Sequence, residues 1–186
     1  MDSKNDNIGV FQVLTGRDET LSESQYHEGG AWYDSNINRW GCKWDINWDD
    51  SNIDLDSDDC ITMSPQTAWS PPENFCRLLS QQYGVRVSIE YSEPGCDFAG
   101  VLLTYGDGRD DESEQYEYLE GLYFIDEDLF WMEVRNNLEY EFEEDEPREV
   151  KEWMEDFQYV DEKHHSDLIE MYNEVKEEYQ EQQESK

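Results

Sequence analysis

The chain of 186 residues contains 48 acidic and 13 basic residues, which gives a formal net charge of −35. Self-repulsion on this scale opposes compaction and excludes direct binding to polyanions such as nucleic acid or the anionic membrane leaflet. The aromatic fraction of 14% nevertheless predicts a folded core rather than a disordered acidic chain. No apolar run could span a bilayer and no signal peptide is recognisable, so we expect a cytoplasmic protein.

The composition changes along the chain and indicates three regions. We predict an N-terminal segment (1–29), an α+β domain (30–125) and an acidic, mainly helical region (126–186). The charge is uneven, since residues 107–186 contain 30 acidic and 7 basic residues. Adaptation to high salt would acidify the surface more evenly, so this asymmetry favours a specific role for the charge.

The first elements of the α+β domain are predicted to be a strand and a helix. The segment 61–69 is typical of a strand, and Ser70 is predicted to cap the following helix, with prolines 71–72 at its entry. Gly84 is placed to end this helix. Four apolar residues lie at helical spacing in between: Phe75, Leu78, Leu79 and Tyr83.

An antiparallel hairpin is predicted after the helix. Residues 85–91 alternate between apolar and polar, and a turn at 93–95 leads into an apolar strand over 98–105. The turn at 106–108 then returns the chain through a strand over 116–118. These elements predict an α+β fold with a ferredoxin-like antiparallel sheet and a packed helix, followed by an acidic C-terminal strand or helical extension.

Three short motifs support this fold by resemblance. GCKW (41–44), TAWSPP (67–72) and EPGCDFAG (93–100) resemble, in order and separation, the YubB-type ferredoxin-like domain family of phage and conjugative-plasmid proteins. The resemblance covers residues 30–120. It implies a fold and an origin in a mobile element, and it brings no catalytic residue with it.

The motif residues themselves are interpreted as structural. We expect five of them to serve a helix entry, a tight turn and core packing: Trp69, Pro71, Pro72, Phe98 and Gly100. Lys43 lies near three tryptophans, Trp40, Trp44 and Trp48, which is a pattern typical of a stacking platform for bases. The neighbouring Asp45, Asp49 and Asp50 argue against that role, because a nucleic-acid groove must attract phosphates.

The C-terminal region begins with an ambiguous segment. Residues 138–144 alternate between apolar and acidic, which favours a strand with its carboxylates on one face at a spacing of about 6.8 Å. A helix continuing from Leu129 through Val134 is the alternative, and the sequence leaves strand or helix over 129–144 open. Further on, Pro147 is predicted to begin a helix.

Two amphipathic helical segments follow. The first has an apolar stripe of Val150, Trp153, Phe157 and Val160. The second has an apolar stripe of Leu168, Met171, Tyr172, Val175 and Tyr179. The outer face of the second carries Glu170, Glu174, Glu177, Glu178 and Glu181. Because like charges on one helix face repel, each apolar stripe must dock against something.

Nucleic-acid mimicry is the function that this pattern favours. Carboxylates on a folded scaffold would occupy the basic channel of a host DNA- or RNA-binding protein, such as a restriction or CRISPR nuclease complex, or a transcription factor or nucleoid protein. The anionic contacts predicted for this surface are Glu139, Glu141, Glu143, Glu144, Asp145, Glu146, Glu149, Glu152 and Asp156. The sequence does not decide whether the chain forms a homodimer.

The alternative is a structural or assembly protein of a mobile element that binds a basic partner through its C-terminal helices. Its interface would use the two apolar stripes, with Val150, Trp153, Leu168 and Met171 as the test positions. Mutating those residues would then abolish binding. Under mimicry, charge reversal would have the larger effect.

Enzymatic and metal sites are not predicted. The chain has no GxSxG, P-loop or HExxH motif, so we predict a non-enzymatic protein without a cofactor. Asp54, Asp56 and Asp58 fit the start of a calcium loop, but Asp59 and Pro65 stand where it needs Gly and Glu. Three histidines do not complete a zinc site. We expect four reduced thiols, mostly core residues: Cys42, Cys60, Cys76 and Cys96.

Overall fold

The computed structural model describes residues 8–27, 30–49, 52–57, 60–144 and 147–184. The chain divides into two compact units, which we call unit 1 and unit 2. Unit 1 contains the described residues up to Ile89 together with Leu102–Ser113. Unit 2 contains Glu90–Val101 and the described residues from Glu114 onward.

Unit 1 is mainly helical before the sheet begins. Its elements are α1 (Val10–Thr15), α2 (Glu23–His27), α3 (Ala31–Trp40), the antiparallel hairpin strands β1 (Asp54–Ser57) and β2 (Cys60–Thr62), and α4 (Glu73–Tyr83). The predicted helix is therefore confirmed. It ends at Gly84, whose φ of 66° lies in the left-handed region that glycine adopts without a steric penalty.

Two details of the predicted entry to α4 are wrong. The strand ends at Thr62 rather than at Trp69, since Pro65 has no amide hydrogen to donate to a ladder. Ser70 does not cap the helix, because the N-cap position is Pro72. The Ser70 hydroxyl donates instead to the carbonyl oxygen of Gly41.

The core of unit 1 joins α1, α3 and α4. Phe11 stacks on Phe75 at a centroid distance of 4.1 Å and meets Trp40 edge-on at 5.9 Å. Cys42 and Cys76 are buried in the same core, as predicted, whereas Cys60 and Cys96 are exposed. All four are free thiols.

Asp45 fastens the start of α1 to the loop after α3. Its carboxylate accepts hydrogen bonds from the amides of Phe11 at 2.7 Å, Gln12 at 2.9 Å and Ile46 at 2.8 Å. The amides at a helix start have no partner within the helix, so a carboxylate there satisfies them. Asp45 is therefore turned inward and is not part of a repulsive surface around Lys43.

The predicted antiparallel sheet is confirmed. It consists of β3 (Arg86–Glu93), β4 (Phe98–Tyr105) and β5 (Glu112–Tyr116) in the order β3–β4–β5. Along β4, Leu102 and Thr104 are buried while their neighbours are partly exposed, which is the alternation of a strand with one covered face. Tyr118, predicted on the returning strand, is the first residue of the next helix.

Gly100 on β4 has no room for a side chain. A Cβ atom there would lie 2.5 Å from the carbonyl oxygen of Glu114 and 2.6 Å from the Tyr91 hydroxyl. We expect Gly100→Ala to lower the free energy of unfolding by about 1 to 3 kcal/mol, because the strand backbone must shift to admit the methyl group. Urea unfolding measures this change. The same substitution at Gly108, where the space is open, tests only its positive φ of 87°.

Unit 2 continues from the sheet into a helical bundle. Its helices are α5 (Tyr118–Ile125), α6 (Glu127–Glu144), α7 (Val150–Trp153) and α8 (His165–Glu184), with 3₁₀ turns at Met154–Phe157 and Glu162–His164. Pro147 precedes α7 without belonging to it, since the helix begins only after Glu149. Among the described residues, no helix is both long and apolar enough to cross a membrane.

The ambiguous segment over 129–144 is a helix. Four residues spaced four apart on α6 are at most 2% exposed: Phe130, Val134, Leu138 and Phe142. Tyr140, which a strand would place beside Leu138 and Phe142, is 66% exposed. The strand interpretation is therefore wrong, because a short alternation with period 2 was also compatible with the longer pattern of period 3.6.

Most residues of the two predicted apolar stripes are buried within unit 2, and Val150, Met171 and Tyr179 are partly buried. Trp153, Phe157 and Val160 join Leu168, Tyr172 and Val175 in one core with the buried face of α6. Rings interlock there, for example Trp153 with Phe157 at a centroid distance of 4.7 Å. The stripes thus dock on their own chain, and this burial offsets the repulsion on the outer faces.

Candidate acidic binding surface

The outer faces of α6 and α8 carry many of the exposed carboxylates of unit 2. Since each helix buries its apolar stripe, its charged residues are left toward solvent. On α8 the exposed acidic residues are Asp167, Glu170, Glu174, Glu177, Glu178, Glu181 and Glu184. We call the exposed carboxylates of α6, of α8 and of the segment 149–156 the acidic surface.

The predicted anionic residues fall into three groups. Five are exposed: Glu139, Glu143, Glu149, Glu152 and Asp156. Glu141 is only partly exposed. The side chain of Glu144 and the whole of Asp145 and Glu146 lie outside the described residues. The regular line of carboxylates expected on a strand does not form, because residues 139 and 141 point about 200° apart around a helix.

Arg135 on α6 joins carboxylates from two helices. Its guanidinium contacts Glu139 at 2.8 Å, Glu178 at 2.8 Å and Glu174 at 3.5 Å. Three carboxylates thus converge on one cation, and the cluster keeps a net charge of −2. The predicted residue Glu139 is held beside two carboxylates of α8 by a basic residue that the sequence analysis did not single out.

Arg148 forms a second such cluster near α7. Its guanidinium contacts Glu141 at 3.0 Å and Asp156 at 2.8 Å, and the Tyr172 hydroxyl donates to its backbone carbonyl. The hydrogen bond from Arg148 lowers the pKa of Glu141, and the bonds to Glu141 and Asp156 raise the pKa of Arg148. Glu141 therefore serves this internal contact, whereas Glu143 on the same helix is exposed.

Glutamine substitutions at Glu141 and Glu143 should separate these roles. We expect Glu141→Gln to lower the free energy of unfolding by about 1 kcal/mol, because Arg148 loses a charge-assisted hydrogen bond that is partly open to water. Glu143→Gln should change it by less than about 0.5 kcal/mol. Urea unfolding of both variants checks this, and equal effects would contradict the assignment.

The pH dependence of the Glu141 effect has a defined sign. A carboxyl whose pKa is lowered in the folded state adds stability above its unfolded pKa, about 4.3, and loses it as the pH falls through the folded value. The stability difference between the native chain and Glu141→Gln should therefore be full at pH 6 and shrink below about pH 4.

The charge on α6 and α8 approaches that of a nucleic acid. Each helix contains seven acidic residues and one basic residue. The 20 residues of α8 extend over about 30 Å. The two helices thus carry about 12 net negative charges over roughly this length, whereas duplex DNA of equal length carries about 18 at one charge per ~1.7 Å.

Among the described residues, no three His, Cys, Asp or Glu side chains form a group that could hold a metal ion. The carboxylates of the Arg135 cluster surround a guanidinium instead. Asp54, from the rejected calcium loop, is exposed, and Asp58 and Asp59 lie outside the described residues.

The fold defines the class of this protein as an α+β protein with a ferredoxin-like domain and an acidic helical C-terminal region. Residues 43–129 match the model of a family described as a ferredoxin-like domain in Api92-like protein. This match covers a little less than half of the chain and overlaps most of the range 30–120 expected from the motifs. No curated protein and no solved structure gives a significant match.

Proposed function

We propose that this protein is a non-enzymatic nucleic-acid mimic, encoded by a phage or a conjugative plasmid, that inhibits a basic DNA- or RNA-binding protein of the host cytoplasm. A defence nuclease complex of the restriction or CRISPR type is the proposed target. The mobile-element origin rests on the resemblance of GCKW, TAWSPP and EPGCDFAG to YubB-type domains.

The observation that carries the proposal is the burial of most of both apolar stripes inside unit 2. With the stripes in the core, the surface that α6 and α8 offer to a partner is dominated by carboxylates. Lys and Arg side chains that normally neutralise phosphates would contact these carboxylates and release their own counterions. Steering by the net charge of −35 gives a fast association that weakens with salt.

The two arginine clusters support this role. Arg135 and Arg148 fix the exposed Glu139 and Asp156 in position, which lowers the conformational entropy that an interface must otherwise remove. Each cluster still has more carboxylates than guanidinium groups, so it remains a site of negative charge.

Two of the four residues proposed as the interface of the assembly alternative are buried, whereas Val150 and Met171 are only partly buried. Trp153 is 3% exposed and Leu168 is 0% exposed, so neither can contact a partner without unfolding of unit 2. Substitutions at these positions would reduce any binding through loss of the fold, and they no longer discriminate between the two functions.

The experiment is affinity capture from a bacterial host lysate at low and high salt, with displacement by duplex DNA. The test variant carries Glu143→Gln, Glu149→Gln and Glu152→Gln, all exposed in unit 2. The control carries Glu19→Gln, Asp34→Asn and Asp49→Asn, which remove the same charge from exposed positions of unit 1. Mimicry predicts that DNA displaces one nucleic-acid-binding complex.

The variants should differ in their dependence on salt. The slope of log affinity against log salt should fall by roughly three in the test variant, one unit per lost contact, and change little in the control. A partner that resists salt and is indifferent to DNA would contradict mimicry, as would equal losses in both variants.

A further inference from the structure

An exposed cluster of aromatic rings surrounds Lys43 in unit 1. The ammonium nitrogen of Lys43 lies 4.0 Å from the centroid of the Trp44 ring and 4.7 Å from that of Trp69. Trp44 stacks on Trp32 at 5.6 Å with an interplanar angle of 11°. We call Lys43, Trp32, Trp44 and Trp69 the tryptophan cluster. Trp40, which the sequence placed beside Lys43, is buried in the core instead.

Trp69 is the most exposed large apolar side chain in this cluster. It is 71% exposed, so its expected role in core packing is wrong. Its φ of 78° lies in the left-handed region, which residues with a Cβ atom adopt at an energetic cost. Strained backbone that presents a side chain to solvent indicates a function outside the fold.

The surrounding loops fix this conformation. The Lys43 amide donates to the Ala68 carbonyl at 3.4 Å, and the Thr67 hydroxyl donates to the Ser70 carbonyl at 3.0 Å. The Ser70 hydroxyl in turn donates to the Gly41 carbonyl, and a Cβ atom on Gly41 would lie only 3.2 Å from the Pro71 carbonyl oxygen. Trp69 is therefore held from both sides in the position that exposes it.

Lys43 is the cation that contacts these rings within the chain. The chain has 48 acidic residues, yet Lys43 forms no ion pair with a carboxylate of the described residues. Its ammonium instead contacts the two indole faces, and tryptophan is the aromatic side chain that attracts cations most strongly. The net charge of the chain also concentrates cations and repels anions.

We propose that the tryptophan cluster is a docking site for an arginine side chain of a basic protein partner. A guanidinium is planar and weakly hydrated, so it stacks on the outer face of Trp69 or replaces Lys43 between the rings. Trp and Arg are also the residues that dominate protein interfaces. The inference rests on the proposed function only for the basic character of the partner.

The test follows the indole N–H resonances of the full chain by NMR during titration with an arginine-rich hexapeptide at physiological salt. The same peptide with citrulline in place of arginine keeps the shape and removes the charge. We expect saturable shifts for Trp44 and Trp69 with arginine only. The buried Trp40 supplies an internal reference that should not move.

Substitutions at Trp69 measure its contribution without changing the net charge. Trp69→Gly should reduce the affinity for the arginine peptide, as reported by the Trp44 resonance, about two- to fivefold, which is the range of one exposed cation–π contact. The affinity of Trp69→Phe should lie between those of the native chain and Trp69→Gly. Glycine also relieves the positive φ, so thermal unfolding should show no loss of stability. Phe124→Ala, which truncates another exposed aromatic side chain, should leave the affinity unchanged.

Several results would overturn the proposal. Equal shifts with the citrulline peptide would do so, as would an unchanged affinity in both Trp69 variants. Shifts produced by single-stranded oligothymidylate in place of the peptide would assign the cluster to the binding of bases. The proposed function fails separately. The Glu143, Glu149 and Glu152 variant tests unit 2, and a loss confined to the Trp69 variants would leave only the tryptophan cluster as a binding site.

Discussion

Replacing Phe130 by alanine should lower the free energy of unfolding by about 3 to 5 kcal/mol. Phe130 is 0% exposed and packs edge-on against Tyr123 at 5.2 Å, Trp131 at 5.1 Å and Phe157 at 6.4 Å. Truncation leaves a cavity among rigid rings that cannot collapse to fill it. Because domains are commonly stable by only about 5 to 15 kcal/mol, this loss is a large part of the total.

Urea unfolding followed by circular dichroism measures the effect of Phe130→Ala. The matched control is Met132→Ala on the same helix, which removes a side chain that is 51% exposed and should change stability by less than about 0.5 kcal/mol. Similar losses in both variants would show that α6 does not bury the face assigned to it. Because Phe130→Ala destabilises unit 2, a loss of partner binding in this variant would carry no information about the acidic surface.

Raising the salt concentration should stabilise this protein while it weakens the proposed complex. On α8 alone, seven like-charged pairs are spaced three or four residues apart, and each costs about 0.2 to 0.5 kcal/mol at low salt. Screening of these pairs should contribute roughly 1.5 to 3.5 kcal/mol. For a chain of this length, that corresponds to a rise in melting temperature of roughly 3 to 14 °C.

Thermal unfolding between 0.02 and 0.5 M sodium chloride checks this prediction, since the Debye length falls from about 20 Å to about 4 Å over that range. The control is the same salt series on a variant with Glu170→Gln, Glu177→Gln and Glu181→Gln. We expect that variant to begin with a higher melting temperature and to respond less to salt. A melting temperature independent of salt would show that the repulsion is already compensated within the fold.

The opposite signs of the two salt effects distinguish mimicry from general instability. A complex that weakens because its components unfold would weaken as salt is removed. A complex held by carboxylates and basic side chains weakens as salt is added. Measuring both quantities on one preparation therefore separates loss of contacts from loss of fold.

The elements around the hairpin were predictable because their signals are local. Helix α4 has its apolar spacing and a terminal Gly84, and the strands β3 and β4 have alternation and a turn between them. The segment 138–144 was not predictable, because its alternation satisfied two periods. Contacts of Leu138 and Phe142 with the rest of unit 2 select the helix.

The candidate site was predictable in kind but not in detail. The acidic outer faces follow from composition and periodicity. Five of the predicted residues are exposed, Glu139, Glu143, Glu149, Glu152 and Asp156, and their role in binding stays a prediction. The assignment of Glu141 to an internal contact with Arg148 depends on groups seven residues apart. The grouping of carboxylates around Arg135 depends on positions about 40 residues away.

The sequence by itself determined the net charge, its concentration toward the C-terminus, and the alternation and helical spacing that indicate an α+β fold. These properties depend on composition and on neighbours a few residues away. Only the tertiary structure decided that the apolar stripes of unit 2 bury each other, that two arginines gather the carboxylates, and that Trp69 faces solvent beside Lys43. Each of these depends on contacts between distant parts of the chain, where packing outweighs local preference.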